Sequence, residues 1–233
     1  MLYQAELHCH TSEVSRCSRI PAKHLVEGYL AAGYKYMFVT DHYHPNVLES
    51  FTMRSKPWEQ RIDHFLEGYY RALSYARGTG LKVLLGMEVS LHIDERSGIG
   101  NDFLVFGFDE EFLRQYPYLY NMDYDAFYEF LHKNGLLVFQ AHPYRYGMHP
   151  VEPICYDGIE VINTNSHHLS HNAMAVRFAL KNNIYLIGGS DTHSEEDIGR
   201  GGVLLPGGIE TPADFVQYIR ENGSPELVVT FGA

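Results

Sequence analysis

Short apolar runs alternate with longer amphipathic runs along nearly the whole sequence, and this alternation restricts the chain to an α/β architecture. "LYQAELH" (2–8), "YKYMFVTD" (34–41), "LKVLLGMEV" (81–89), "DFLVFGF" (102–108), "LLVFQAH" (136–142), "YDGIEVIN" (156–163) and "IYLIGGSD" (184–191) predict strands. "PAKHLVEGYLAAGY" (21–34), residues 57–80, "DYDAFYEFLHKNG" (123–135), "HNAMAVRFALKNN" (171–183) and about 211–221 predict helices, followed by a short apolar segment, "PELVVTF". Many of the strands are apolar on nearly every residue, which suits a parallel sheet covered on both faces. With 233 residues, no long linker, no low-complexity tract and no repeat, the expectation is one α/β domain over 1–233, its sheet open or closed into a barrel.

Polar residues collect where these strands end. The first strand runs into His8 and His10, the second into Asp41 and His42, and the third into Glu88. The strand at 136–140 runs into His142, and that at 184–189 into Asp191 and His193. In a parallel barrel all C-terminal strand ends open on one face, so residues scattered through the chain converge there. Side chains alternate along a strand, so His8 and His10 point the same way. Several histidines and carboxylates in one cavity make a ligand set for Zn²⁺, Mn²⁺ or Fe²⁺.

Each ending also has a plain structural reading. A lone H-x-H is weak evidence for metal, and "TDH" or "GSD" alone fits a helix-capping turn. Five endings in register are harder to explain that way, because capping does not call for histidine and stability does not call for Glu88 after "LLGM".

The motifs "ELHCHT", "VTDH", "AHP" and "GGSDTH", with the intervening "GMEV", resemble those of the PHP (polymerase and histidinol phosphatase) family of metal-dependent phosphoesterases, over residues 6 to 193. The resemblance implies a distorted barrel of seven strand–helix units, (β/α)7 and TIM-like, with two or three divalent metal ions. It assigns His8, His10, Glu88 and Asp191 to a first metal, Glu88 and His142 to a second, and His42 and His193 to a third. It also implies hydrolysis of a small phosphomonoester or nucleotide-like substrate by metal-activated hydroxide, with Asp191 or His193 handling the proton.

Two departures stand out. Many family members carry an Asp or His five or six residues after the first motif; here Ser15 and Arg16 stand there, and Arg16 cannot ligate because it stays protonated. Glu13 is the nearest carboxylate, either a ligand or a solvated loop acid. Many members also carry a histidine on the strand after the glutamate; here Asp102 takes that place, which shifts preference toward harder ions such as Mn²⁺.

Arg16, Arg145 and Arg200 are candidate phosphate clamps, each equally able to pair with an acid on the rim. Of the histidines in "NSHHLSHN", His168 is a candidate substrate contact, whereas His167 and His171 fit a polar helix-start loop. A net charge of −11 disfavours long nucleic acid as a partner. Three widely spaced cysteines, no signal-peptide pattern and no membrane-length apolar run lead to the expectation of a reducing, cytoplasmic setting away from membranes. The rival enzyme class is an amidohydrolase-type barrel, whose sites often use a modified lysine at a middle strand end, where this chain has Glu88 and His142. The rival of another kind is a barrel that binds metal or nucleotide without turnover.

Overall fold

A computed structural model describes residues 1–94 and 99–230. Its elements in chain order are β1 (Leu2–Cys9), α1 (Ala22–Ala31), β2 (Tyr36–Val39), β3 (His42–Tyr43), α2 (Pro45–Leu48), α3 (Trp58–Phe65) and α4 (Glu67–Ala76). There follow β4 (Lys82–Leu91), β5 (Asn101–Phe106), α5 (Glu110–Gln115), α6 (Tyr124–Lys133), β6 (Leu137–Gln140) and β7 (Gly158–Asn163). The chain ends with α7 (Asn172–Asn182), β8 (Tyr185–Gly189), β9 (Gly201–Pro206), α8 (Pro212–Asn222) and β10 (Glu226–Val229). Phe231 of the closing apolar segment lies outside the described residues.

The strands form one mixed sheet, ordered β10-β9-β1-β2-β4-β5-β6-β7-β8, with the short β3 beside β4. It curls nearly into a barrel. The curl closes where the segment after β8 meets β1: Thr192 N donates to His8 O (3.2 Å) and His10 N donates to Thr192 O (3.1 Å). Gly189 permits this approach: a Cβ there would fall 2.5 Å from His8 Cβ. The sheet is not all parallel, as the alternation alone suggested. Among the described residues no helix joins β4 to β5; β5 runs antiparallel to both β4 and β6, and β9 runs antiparallel to β1 and β10.

Alternate residues on the strands serve different cores. Leu104 and Phe106 of β5 join Phe38, Phe139, Ile187 and Leu205 in a cluster closed by Phe215, Val216 and Ile219 of α8. Phe103 and Val105 face the other way, into a cluster with Phe65, Phe127 and Leu131 of the covering helices. α1 buries Ala22, Leu25, Val26 and Tyr29, the spacing of one helical face. The expected single helix over 57–80 is interrupted at Leu66. Beyond the break α4 sets Gly68 against the first-motif loop, where a Cβ would fall 2.0 Å from Thr11 Oγ1.

Candidate metal centre

Strand geometry gathers the strand-end residues in one buried cluster. β3 pairs with β4 in the register His42 opposite Glu88, and His42 Nδ1 lies 3.0 Å from Glu88 Oε2. His142 Nε2 lies 3.1 Å from Glu88 Oε1, and His8 Nε2 lies 3.2 Å from the same oxygen. Asp191 Oδ1 lies 3.4 Å from the Nε2 atoms of both His8 and His10, and 3.2 Å from His193 Nδ1. Asp102 reaches this end of the barrel because β5 runs antiparallel and begins there. It stands opposite Ser90, whose hydroxyl donates to Asp102 Oδ1 at 2.5 Å, and its Oδ2 lies 4.0 Å from His142 Nε2.

Two of these residues adopt backbone conformations that L-residues rarely take: His142 at φ 28° and Asp191 at φ 52°. Such strain concentrates at functional sites, where surrounding bonds hold it in place. Here Asn165 Nδ2 donates to Asp191 O (2.7 Å) and His142 N donates to Glu160 Oε2 (3.1 Å).

The donor set fits divalent metal ions. His8 Nε2, His10 Nε2, His42 Nδ1 and Asp191 Oδ1 are buried and make no hydrogen bond. Buried polar atoms left this way cost free energy unless another partner, such as a cation, satisfies them. Ligand atoms lie within 4.8 Å of one another in His8–His10–Asp191, in Glu88–Asp102–His142 and in His10–His42–His193.

Ligation needs ionised carboxylates, and two of the cluster acids are held in that form. Burial alone would raise the Glu88 and Asp191 carboxyls. The His8 charge outweighs it at both, helped by His42 at Glu88 and by Arg145 at Asp191, and holds both well below the usual range. Burial together with its cationic neighbours His42 and His193 keeps His10 neutral. His8, His42 and His193 differ: despite burial, their acidic neighbours raise His8 and His42 well above the usual imidazole range, and Asp191 raises His193 to about 10.

The cluster forms the floor of a cavity of about 340 Å³, which Arg145, Arg19, Cys17, Asn165, His167 and His168 also line. Arg145 Nη2 contacts Asp191 Oδ2 at 2.5 Å and Asn163 Oδ1 at 3.2 Å. A second cavity of about 480 Å³ adjoins the first through Cys17, His42 and Asp102 and contains Arg16, His44, Val47, Ile99 and Met148.

Two expectations need correction. Glu13 is not part of the cluster. Both its oxygens accept from Ala22 N (3.2 and 3.1 Å), because Pro21, the N-cap of α1, offers no side-chain cap of its own. Arg200 does not line the cavity; it leads into β9, and its carbonyl accepts from Thr230 N (2.9 Å). Beside Arg145, the cavity is lined by Arg19, which sequence reasoning passed over and whose backbone N–H donates to His193 O at 2.8 Å. Sequence reasoning also passed over Cys17 and Glu160. The signal for Glu160 was present, an acid inside the apolar strand "GIEVIN"; its Oε1 lies 2.9 Å from His8 Nδ1.

The PHP domain model matches residues 6–182, which contain all of these cluster residues except Asp191 and His193. The chain belongs to the PHP domain family. A PHP-associated model matches residues 170–223, covering the last two cluster residues. No curated protein matches this PHP chain in sequence. Among solved structures it is similar to PsfC from Pseudomonas syringae (TM-score 0.67, 17% identity, 100% of this chain and 92% of that one). It is also similar to the lesion-specific endonuclease PfuEndoQ from Pyrococcus furiosus (TM-score 0.63, 16% identity, 97% and 58%). A third is a two-domain protein from Bacteroides vulgatus containing a predicted PHP-like metal-dependent phosphoesterase (TM-score 0.59, 17% identity). This PHP chain is covered over 88% of its length there and spans 58% of that protein. At these identities the likeness is one of fold. PHP membership and the histidine–carboxylate cluster together support a metal-dependent hydrolase. Among the described residues no helix is long and apolar enough to cross a membrane.

Proposed function

We propose that the chain hydrolyses a small phosphomonoester. The observation that carries this reading is the meeting of Arg145 and the anionic cluster in one cavity, with Arg19 and His168 on the same wall. Divalent ions, when bound by His8, His10, His42, Glu88, Asp102, His142, Asp191 and His193, supply a nucleophile from water at neutral pH and neutralise phosphoryl charge.

The chain's own groups do the rest. The Arg145 guanidinium gives Nη2 to Asp191 and Asn163, and its remaining N–H groups offer charge-assisted hydrogen bonds to phosphoryl oxygens. Arg19 and His168 add donors from the mouth. Arg16 belongs to the adjoining cavity, so it meets the leaving group rather than the phosphoryl group. Val47, Ile99 and Met148 make that subsite partly apolar and fit a compact organic alcohol. When His193 is not ligating an ion, its imidazole gives a proton to the leaving oxygen, and Asp191, 3.2 Å away, orients it. The net charge of −11 favours small substrates over long nucleic acid, and Mn²⁺, Zn²⁺ and Fe²⁺ all suit the ligands.

The test is hydrolysis of p-nitrophenyl phosphate, its bis-ester and a short oligonucleotide, with each of the three ions. Monoester turnover that Asp191→Asn abolishes together with metal content supports the reading. Bound metal with no turnover on any ester points to a binding barrel. Cleavage of the oligonucleotide alone moves the substrate class to nucleic acid.

A further inference from the structure

Cys17 has no role in the mechanism above, yet it is held firmly beside the cluster. The residues flanking it are pinned. Ser15 Oγ donates to Asp41 Oδ1 (2.7 Å), Ser18 Oγ donates to His10 O (2.9 Å), and Ser18 N donates to Ser15 O (2.9 Å). Arg19 N then ties the segment to His193 O (2.8 Å). From this turn Cys17 lines the same cavity as His42 and His193, and it lines the adjoining cavity together with His42.

These imidazoles are themselves brought together. The His10 ring centroid lies 4.5 Å from those of both His42 and His193. The ligand atoms of the three lie within 4.8 Å of one another. His10 is fully buried with Nε2 unpartnered, and His42 Nδ1 is buried and unpartnered too. The corner therefore offers unsatisfied imidazole nitrogen beside a thiol. The other cysteines differ: Cys9 Sγ donates to Phe38 O (3.2 Å), and Cys155 Sγ donates to Asp125 Oδ1 (2.9 Å), both away from the cluster.

We propose that Cys17 is a metal ligand and, with His42 and His193, forms a thiolate site selective for Zn²⁺. The inference rests on the reading of this cavity as a metal centre. Two imidazoles and a thiolate suit a borderline-soft ion. The Glu88–Asp102–His142 group, with two carboxylates, suits a harder one. One cavity thus holds two ligand sets of different softness. Ligation releases the thiol and imidazolium protons to solvent and changes no oxidation state. A filled site takes the His193 ring nitrogen, so His193 serves as an acid only while that site is empty.

The experiment is Co²⁺ titration of metal-free protein, read by absorption and by ion count. Wild type should develop a near-ultraviolet thiolate-to-cobalt charge-transfer band. Cys17→Ser should lose the band and bind one ion fewer. Cys17→Asp should regain the ion without the band. Circular dichroism melts show whether each variant is folded. On the unaltered chain, Zn²⁺ should block alkylation of Cys17, located by peptide mass, which keeps the test decisive if the variants do not fold. A band unchanged in Cys17→Ser, no band in wild type at saturating Co²⁺, or alkylation of Cys17 indifferent to Zn²⁺ overturns the proposal. Loss of ester hydrolysis with the band intact would instead sink the phosphoesterase reading and leave the thiolate site standing.

Discussion

Arg145 and Asp191 share a contact of 2.5 Å through Asp191 Oδ2, while Oδ1 of the same carboxylate faces His8, His10 and His193. One acid is thus divided between a guanidinium and the candidate metal ligands. Arg145→Ala should leave metal content in place but raise KM for a phosphomonoester roughly 10-fold or more, since a charge-assisted hydrogen bond is worth about 1.5–3 kcal/mol. Arg145→Lys should recover little, because a single ammonium does not reproduce a planar group that holds Asp191 and Asn163 through one nitrogen and keeps others for phosphate. Steady-state kinetics check this, and an unchanged KM would remove Arg145 from the phosphate site.

Glu160 acts on the cluster through His8. Its Oε1 lies 2.9 Å from His8 Nδ1, which fixes the ring and leaves Nε2 for the cavity. Carboxylates that orient a ligating imidazole typically contribute 10–100-fold in metal affinity, so Glu160→Gln should weaken binding by about that factor. Competition against a chromogenic chelator measures it. Equal affinity in the two proteins would reduce Glu160 to a buried hydrogen-bonding acid.

Gly189→Ala should damage fold and site together. The added Cβ would fall 2.5 Å from His8 Cβ and 3.0 Å from the Glu160 and Glu6 carboxylates. Overpacking of this kind costs about 1–3 kcal/mol, visible in denaturant unfolding of metal-free protein. Displacing His8 should also lower metal occupancy. A variant as stable as wild type and fully loaded would show that the strands part there without cost.

Asp197 predicts a pH dependence. Burial would raise its carboxyl, but hydrogen bonds from Ser166 and Ser194 outweigh burial and lower it below 3.8. A carboxyl lowered on folding stabilises the native state above the unfolded pKa, and that stabilisation fades as pH falls through the folded value. Wild type should therefore lose stability below about pH 4 more steeply than Asp197→Asn. At neutral pH the variant should be weaker by about 1–3 kcal/mol, because it gives up acceptors for Ser166, His193 and Ser194. Parallel acid-unfolding curves for the two proteins would contradict this.

How far the site could be read from sequence follows from strand direction. His8, His42, His142 and Asp191 close parallel strands, and there the strand-end rule works because the chain's own order lays them on one rim. Asp102 opens a strand that runs the other way, so only the likeness to PHP motifs brought it in. Glu13 misled because distance along the loop says nothing of the bare N-terminus of α1 that claims its carboxylate. Cys17 stands one place beyond Arg16, and only the folded cavity shows that it shares a wall with His42 and His193. The extra strands β9 and β10 were obscured by their length and by the two glycines that open β9.

The seam at Thr192 sets an order of events during synthesis. His8 and His10 emerge first, but their companion Asp191 follows only after almost the whole sheet has been made. Closing so long a loop is slow relative to local helix and hairpin formation. Until β8 docks on β1, a metal ion meets scattered histidines rather than a complete coordination shell. The ions are therefore guests of a finished barrel and not a template for building it, and chelation should empty the protein without unfolding it.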